Sequence, residues 1–318
     1  MKNPIIGHEQ IIEQLEHTVA SDRIAGAYLF VGPTGVGKET VARYFAQLIF
    51  CQQETQPPTA CGTCLACRKM DSGNHPDLQL IRPDGSTLKI GQIRELQKQI
   101  IYEPLEASRK IYILADVERM NDEAENCLLK TLEEPPAASV LILLTSNMRA
   151  LLPTTRSRCQ ILQFHPMPTQ ELAKILVEQF SVAPEQATAL AITADGAIGA
   201  ARTLIEKGDI HTQKVPEILI ETDPLAAFRL AEHFKNNPET LGELVIWYRD
   251  LLFLQQGAPI ELITHIHSIT ELQSIAPHYS RLRIQQAIQT VLDTKSLIEN
   301  TNTNATLALE VMCLKLLK

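Results

Sequence analysis

The sequence predicts an α/β core built on a parallel sheet, followed by a small helical subdomain and an all-α C-terminal domain. Three observations carry this reading. Short β-rich runs at 28–31 (Tyr-Leu-Phe-Val), 110–114 (Lys-Ile-Tyr-Ile-Leu) and 140–144 (Val-Leu-Ile-Leu-Leu) alternate with helical patterns, as in a parallel sheet covered on both faces. A further strand-like run at 161–164 is followed by Pro166 and Pro168, which break the alternation. Beyond them only helical periodicity persists. A chain of 318 residues is expected to form two or three compact units. The predicted bounds are 1–165 for the core, 166–208 for the helical subdomain and 209–318 for the C-terminal domain.

The composition, 45% hydrophobic and 21% charged, is that of a soluble globular protein. No run approaches the roughly 20 apolar residues that span a bilayer, and the start, Met1-Lys2-Asn3-Pro4 with Glu9 and Glu13 following, lacks an apolar leader. A cytoplasmic protein with no membrane partner is therefore expected. A net charge of -8 disfavours a chain that wraps phosphate backbone over its whole surface.

The first strand runs into Gly32-Pro33-Thr34-Gly35-Val36-Gly37-Lys38, and a helical pattern follows through Phe50. This G-x-x-x-x-G-K spacing between strand and helix is that of a phosphate-cradling loop. Glycines let successive N–H groups converge on an anion, the helix N-terminus adds its dipole, and Lys38 reaches the terminal phosphates. A glycine turn that merely joins strand to helix is the plainer alternative. The next position calls for the Ser or Thr hydroxyl that binds magnesium, but it holds Glu39. Thr40 is rotated about 100° further round the helix and does not simply substitute. The later strand at 110–114 ends in Ala115-Asp116-Val117-Glu118 where an Asp-Glu pair is expected, so in either register one acid is lost. Because phosphoryl transfer depends on positioning and electrostatics, these losses predict a chain that hydrolyses no ATP and binds it only weakly.

Four of the seven cysteines, Cys51, Cys61, Cys64 and Cys67, follow the pattern C-x9-C-x2-C-x2-C. Four thiolates suit a structural, tetrahedral zinc ion with no open position. An iron–sulfur site is the weaker alternative because the fourth Cys-Pro is missing; uncoordinated or redox-active thiols are another. Cys127, Cys159 and Cys313 are read as small buried hydrophobes.

After Thr169, Leu172, Ile175, Leu176 and Phe180 recur at helical spacing, and Asp195-Gly196 marks a turn before a further short helix. Two later stripes, Leu241/Leu244/Val245/Tyr248/Leu251/Leu252 and Ile284/Ile288/Val291/Leu292, are read as core faces of amphipathic helices.

In this order, the phosphate loop, the cysteine module, Asn126-Cys127-Leu128-Leu129-Lys130-Thr131-Leu132-Glu133-Glu134-Pro135-Pro136 and Thr155-Arg156-Ser157-Arg158-Cys159 resemble bacterial clamp-loader AAA+ subunits. The resemblance covers roughly residues 1–208 by motif and the rest only by length and helicity. It implies a P-loop NTPase (AAA+) core, a helical lid and a C-terminal collar. It also implies a pentameric ring with gamma/tau and delta subunits that places a sliding clamp on primer–template DNA, as part of a polymerase holoenzyme. The degenerate site points to a non-hydrolysing member, with an active gamma/tau-type ATPase as the alternative. Arg158 of the Ser-Arg-Cys motif is then the arginine that reaches a neighbour's ATP site, where a planar, permanent charge suits phosphate; taken without the motif, an ordinary salt-bridged surface arginine is the plainer alternative. Arg156 would point the opposite way if the segment is extended. Asn147 falls where the family has its first nucleotide sensor, and Gly199 where its second, an arginine, is expected. Two other readings remain. A self-sufficient ATP-driven remodeller requires Asp116 and Thr40 to rescue the metal site. A zinc-containing DNA-binding protein is disfavoured by the acidic balance.

Overall fold

The computed structural model describes residues 5–53, 59–136, 138–206, 224–238, 240–259, 262–265, 269–300 and 303–317. The boundary expected at 208/209 lies outside them. The chain divides into two compact units, Met1–Met167 with Ala197–Ala200, and Pro168–Gly196 with Ala201–Lys318.

The first unit is the predicted α/β core. Its elements are α1 (Glu9–Ala20), β1 (Ala27–Val31), α2 (Lys38–Phe50), α3 (Leu65–Asp71), β2 (Leu78–Ile81), α4 (Ile90–Ile100), β3 (Lys110–Leu114), α5 (Asp122–Glu133), β4 (Ser139–Thr145), α6 (Pro153–Arg156) and β5 (Gln160–Gln163). All pairings are parallel in the order β2-β3-β4-β1-β5, with Phe30 opposite both Leu144 and Leu162. The central strands read as unbroken apolar runs because alternate side chains enter two different cores. Tyr28, Phe30, Ile111, Ile113, Val140 and Ile142 pack with Val41 and Phe45 of α2. Leu29, Tyr112, Leu141 and Leu143 face the other way and meet Ile93 and Leu96 of α4 and Leu128 of α5. Burying each large side chain contributes about 1.5–3 kcal/mol, so Phe45, fully buried with its ring edge-on to Tyr28, is a position where truncation would be costly.

Local chemistry sets the helix ends. Asn121 caps α5, accepting from the Ala124 amide at 2.9 Å, and Pro135-Pro136 follow its C-terminus, where the helix cannot continue. The strand order reverses around β1: the chain passes from β1 to β2 at one edge, returns through β3 and β4, and crosses to β5 on the far side of β1. In such sheets the crevice beyond the C-terminal strand ends is the usual ligand site.

The second unit is helical: α7 (Thr169–Phe180), α8 (Pro184–Thr193), most of α9 (Ile198–Glu206), α10 (Pro224–Asn236), α11 (Thr240–Gln255), α12 (Ile269–Ile275), α13 (Arg281–Asn300) and α14 (Ala305–Leu316). Asp195 and Gly196 take the left-handed conformation between α8 and α9, at the expected turn. The first apolar stripe enters the core through Leu241, Leu244, Tyr248 and Leu251 of α11. The second does so through Ile284 and Val291, whereas Leu292 is 44% exposed, a correction to its expected core position. One residue on, the stripe has turned about 100° away from the packed face. Buried Asp250 accepts from the Thr264 and His265 amides at 3.1 and 2.9 Å and pairs with His265 Nδ1 at 2.8 Å, tying α11 to residues 264–265. No described helix is long and apolar enough to cross a membrane.

Candidate functional site

The predicted phosphate loop lies between β1 and α2, at the C-terminal edge of the sheet. Gly35 and Gly37 have φ of +78° and +112°, which the turn demands and L side chains rarely adopt. Gly32 donates its N–H to the Thr145 carbonyl at 3.1 Å. A Cβ at Gly32 would lie 2.6 Å from the Phe164 oxygen. The loop is thus bound into the sheet by its backbone.

Its polar groups are largely engaged from within. Lys38 Nζ donates to the carbonyls of Gly32 and Pro33 at 2.5 and 2.8 Å. The Gly199 amide donates to the Gly35 carbonyl at 2.8 Å, and Ala200 packs on the same glycine. His8 Nε2 lies 2.8 Å from the Val36 carbonyl. Glu39, at the magnesium-ligand position, is held by two guanidinium groups, Arg43 at 3.0 Å and Arg82 at 2.7 Å. Pro33, Thr34 and Thr40 are exposed. Burial lowers the Lys38 pKa, and the charges of Glu118 and Asp116 partly restore it.

Asp116 takes a left-handed conformation (φ +51°) and opens a short turn over Val117–Arg119. Ala115 and Val117 are buried. Glu118, which sequence reasoning left unassigned, accepts from the Ser146 amide at 3.0 Å and from the Ser146 hydroxyl. Burial opposes its ionisation, but these bonds outweigh burial and hold the carboxyl below its ordinary range. Asn147 acts locally: its Oδ1 accepts from the Arg149 amide at 3.1 Å and its own amide donates to Thr145 Oγ1 at 3.0 Å. Gly199 occupies the expected second-sensor position and presents only backbone to the loop.

The four cysteines converge where α2 ends and α3 begins. Cys51 follows α2, Cys64 caps α3 and Cys67 lies in its first turn. Their Sγ atoms all fall within 4.8 Å of one another, and Cys61 and Cys67 stand 3.8 Å apart. Four sulfurs at about 2.3 Å from one tetrahedral ion are separated by about 3.8 Å, so the residues fit a zinc ion. The Cys64 and Thr63 amides point at Cys61 Sγ, at 3.3 and 3.5 Å, and lower its pKa to about 6. Burial instead pushes Cys67 up to about 12. Four thiolates therefore share this space only when a cation compensates them. His75 stays outside the cluster; it is buried and stacked on Phe50 at 4.1 Å. Cys313 is buried as expected, but Cys127 and Cys159 are half-buried, and Cys127 donates to Gln97 Oε1 at 3.2 Å.

Arg158 follows α6 immediately before β5. The segment is helical rather than extended: Arg156 closes α6, and the Arg158 amide donates to the Thr155 carbonyl at 3.3 Å. Pro153 at the first helical position favours that turn. The Arg158 guanidinium donates to Glu133 Oε1 at 2.6 Å and to the Thr154 carbonyl at 2.9 Å. Since Gln160 pairs with Tyr28 and Gln163 with Val31, Arg158 enters at the edge of the sheet opposite the phosphate loop.

The structure thus gathers the loop, Asp116, Glu118 and Asn147 at one sheet edge, the cysteines beyond α2, and Arg158 at the other edge. His8 and Glu118 had escaped assignment. His8 carries no motif, whereas Glu118 was visible beside the expected acidic pair.

Residues 7–168 match the family described as DNA polymerase III, delta subunit, and residues 215–318 match its C-terminal family. A Bacillus subtilis DNA polymerase III subunit delta' is 33% identical over 267 residues, covering 80% of both chains. The B. subtilis subunit tau is 29% identical over 289 residues, covering 81% of this chain and about half (51%) of the tau chain. A DNA polymerase III gamma subunit-related protein of known structure from Thermotoga maritima superposes with a TM-score of 0.53 at 18% identity, covering 95% of this chain and 97% of that one. That likeness shows the fold.

Proposed function

The chain belongs to the delta' subunit family of DNA polymerase III, and from that premise we propose that it is a clamp-loader subunit with no ATPase of its own, which donates Arg158 to a neighbouring ATPase subunit. The loader is a ring with gamma/tau and delta subunits, acting in the cytoplasm on a sliding clamp and primer–template DNA. The single observation that carries the reading is the placement of Arg158. It stands at the sheet edge away from its own phosphate loop, separated by the four-residue pairing of β5 with β1, about 13 Å of extended chain. An arginine so placed serves a phosphate outside its own chain.

The rest of the site supports the same division of labour. Glu39 is ion-paired and Ala115 lacks a carboxylate, so among the described residues two of the groups that hold magnesium and polarise water in a working loop are diverted or missing. Its loop, residues 32–38 with Glu39, Thr40, Asp116 and Asn147 around it, holds ATP weakly at most. Cys51, Cys61, Cys64 and Cys67, whose sulfurs lie within 4.8 Å of one another, would hold a structural zinc ion, which would supply a cross-link between α2 and α3 and no reaction chemistry. A guanidinium facing a phosphate whose charge rises during transfer is worth about 10³–10⁵ in rate in related hydrolases. In a reconstituted loader of verified composition, Arg158→Ala is expected to cause a large loss of clamp- and DNA-stimulated ATPase, while the isolated chain turns over no ATP. An unchanged loader rate overturns this role.

A further inference from the structure

Arg158 does not stand ready in this chain. Its Nη2 is 2.6 Å from Glu133 Oε1, and Nη1 donates to the Thr154 carbonyl at 2.9 Å. Glu133 is the last residue of α5, where the helix macrodipole is negative and a carboxylate is disfavoured. Helix stability therefore gives no reason for an acid there. The ion pair does, because the guanidinium compensates both the carboxylate and the helix end.

The pair is also easily exchanged. The side chains of Arg158 and Glu133 are 33% and 49% exposed, a setting in which ion pairs are weak and screened by salt. Terminal phosphates offer more charge and more acceptor oxygens than one carboxylate, and Arg binds them through two parallel N–H groups, whereas Glu133 takes only one. We propose that Glu133 is a positioning residue for Arg158, a resting partner that holds the guanidinium against its own chain until a neighbour's nucleotide displaces it. The inference rests on the reading of Arg158 as a donor in trans.

A weak resting contact acts where engagement of the arginine is unfavourable, in the loader idling without clamp and DNA. Once clamp and DNA tighten the interface, engagement saturates and the contact no longer matters. In a reconstituted loader, Glu133→Gln is therefore expected to raise the unstimulated ATPase rate roughly two- to fivefold and to leave the stimulated rate within twofold. Glu133→Asp is expected to restore the wild-type ratio of the two rates. A double variant with Arg158→Ala is expected to fall to the level of Arg158→Ala alone. A merely structural role for Glu133 would lower both rates together. If Arg158→Ala is damaging while Glu133→Gln leaves the unstimulated rate equal to or below wild type, the resting contact is overturned and the donated arginine stands. If Arg158→Ala has no effect, both fall.

Discussion

The phosphate loop and the cysteine cluster both announce themselves by spacing, yet the fold treats them differently. In the loop the backbone is intact and the side chains are diverted: Gly35 and Gly37 keep their positive φ, while Lys38 is turned onto its own carbonyls and Glu39 onto Arg43 and Arg82. In the cluster nothing is diverted, and four sulfurs lie within the reach of one ion. A glycine turn is useful for its backbone alone, as a joint between strand and helix. Four thiols in one small volume have no comparable backbone role, and ionised they repel one another unless a cation compensates them. A preserved turn is thus weak testimony to chemistry, and a complete ligand set is strong testimony.

The largest effect that separates the two regions is metal removal. Structural zinc contributes on the order of 10–16 kcal/mol of apparent binding free energy in small domains. The purified chain should carry one zinc per chain, and Cys64→Ser with Cys67→Ser, or a strong chelator, should strip it and lower the unfolding temperature. Metal analysis beside thermal unfolding checks this. A metal-free protein with unchanged melting would erase the contrast.

A smaller effect tests whether the loop is held by backbone. A Cβ at Gly199 would lie 2.7 Å from the Gly35 carbonyl, whereas one at Gly91 meets nothing within 4 Å. Both glycines are the second residue of their helices, α9 and α4. Gly91→Ala should gain up to about 1 kcal/mol from helix propensity. Gly199→Ala should lose about 1–2 kcal/mol, since overpacking costs about 1–3 kcal/mol. Denaturant unfolding of the two variants should move in opposite directions. If Gly199→Ala also stabilises, the Gly35–Gly199 contact does not hold the loop.

Much of this was legible from residue order. The strands β1, β3, β4 and β5 were marked by apolar runs, and the loop and the cysteines by fixed spacing. The four-residue β2 was missed, because it pairs only with β3 at the sheet edge and its first three residues are partly exposed, which blurs any period. The spacing of Arg156 and Arg158 leaves the conformation of their segment open, and the proline at the start of α6 favours the helical turn that the structure shows. His8 and the segment 199–200 reach the loop from 28 and more residues away. Contacts of that kind come from tertiary packing, which spacing does not encode. The Glu133–Arg158 pair joins residues 25 apart in sequence for the same reason.

The smallest effect expected is that of Lys38→Met, and its smallness is the point. In a working loop this lysine binds phosphate; here its ammonium serves two carbonyls of its own chain. Burial sets its folded pKa below the unfolded value, so the folded state releases the proton first. Stability then rises with pH from the folded pKa up to about 10.4 and is level below it. At pH 7 the wild type carries the full desolvation cost of the cation, and methionine removes that cost together with the two hydrogen bonds. The two changes oppose each other, and the unfolding free energy should shift by no more than about 1 kcal/mol. Above the folded pKa the alkaline rise should disappear from the variant. In a reconstituted loader, Lys38→Met should leave the stimulated ATPase within twofold of wild type. A tenfold fall would mean that nucleotide in this loop contributes to the cycle, and that its diverted side chains do not mark a site out of use.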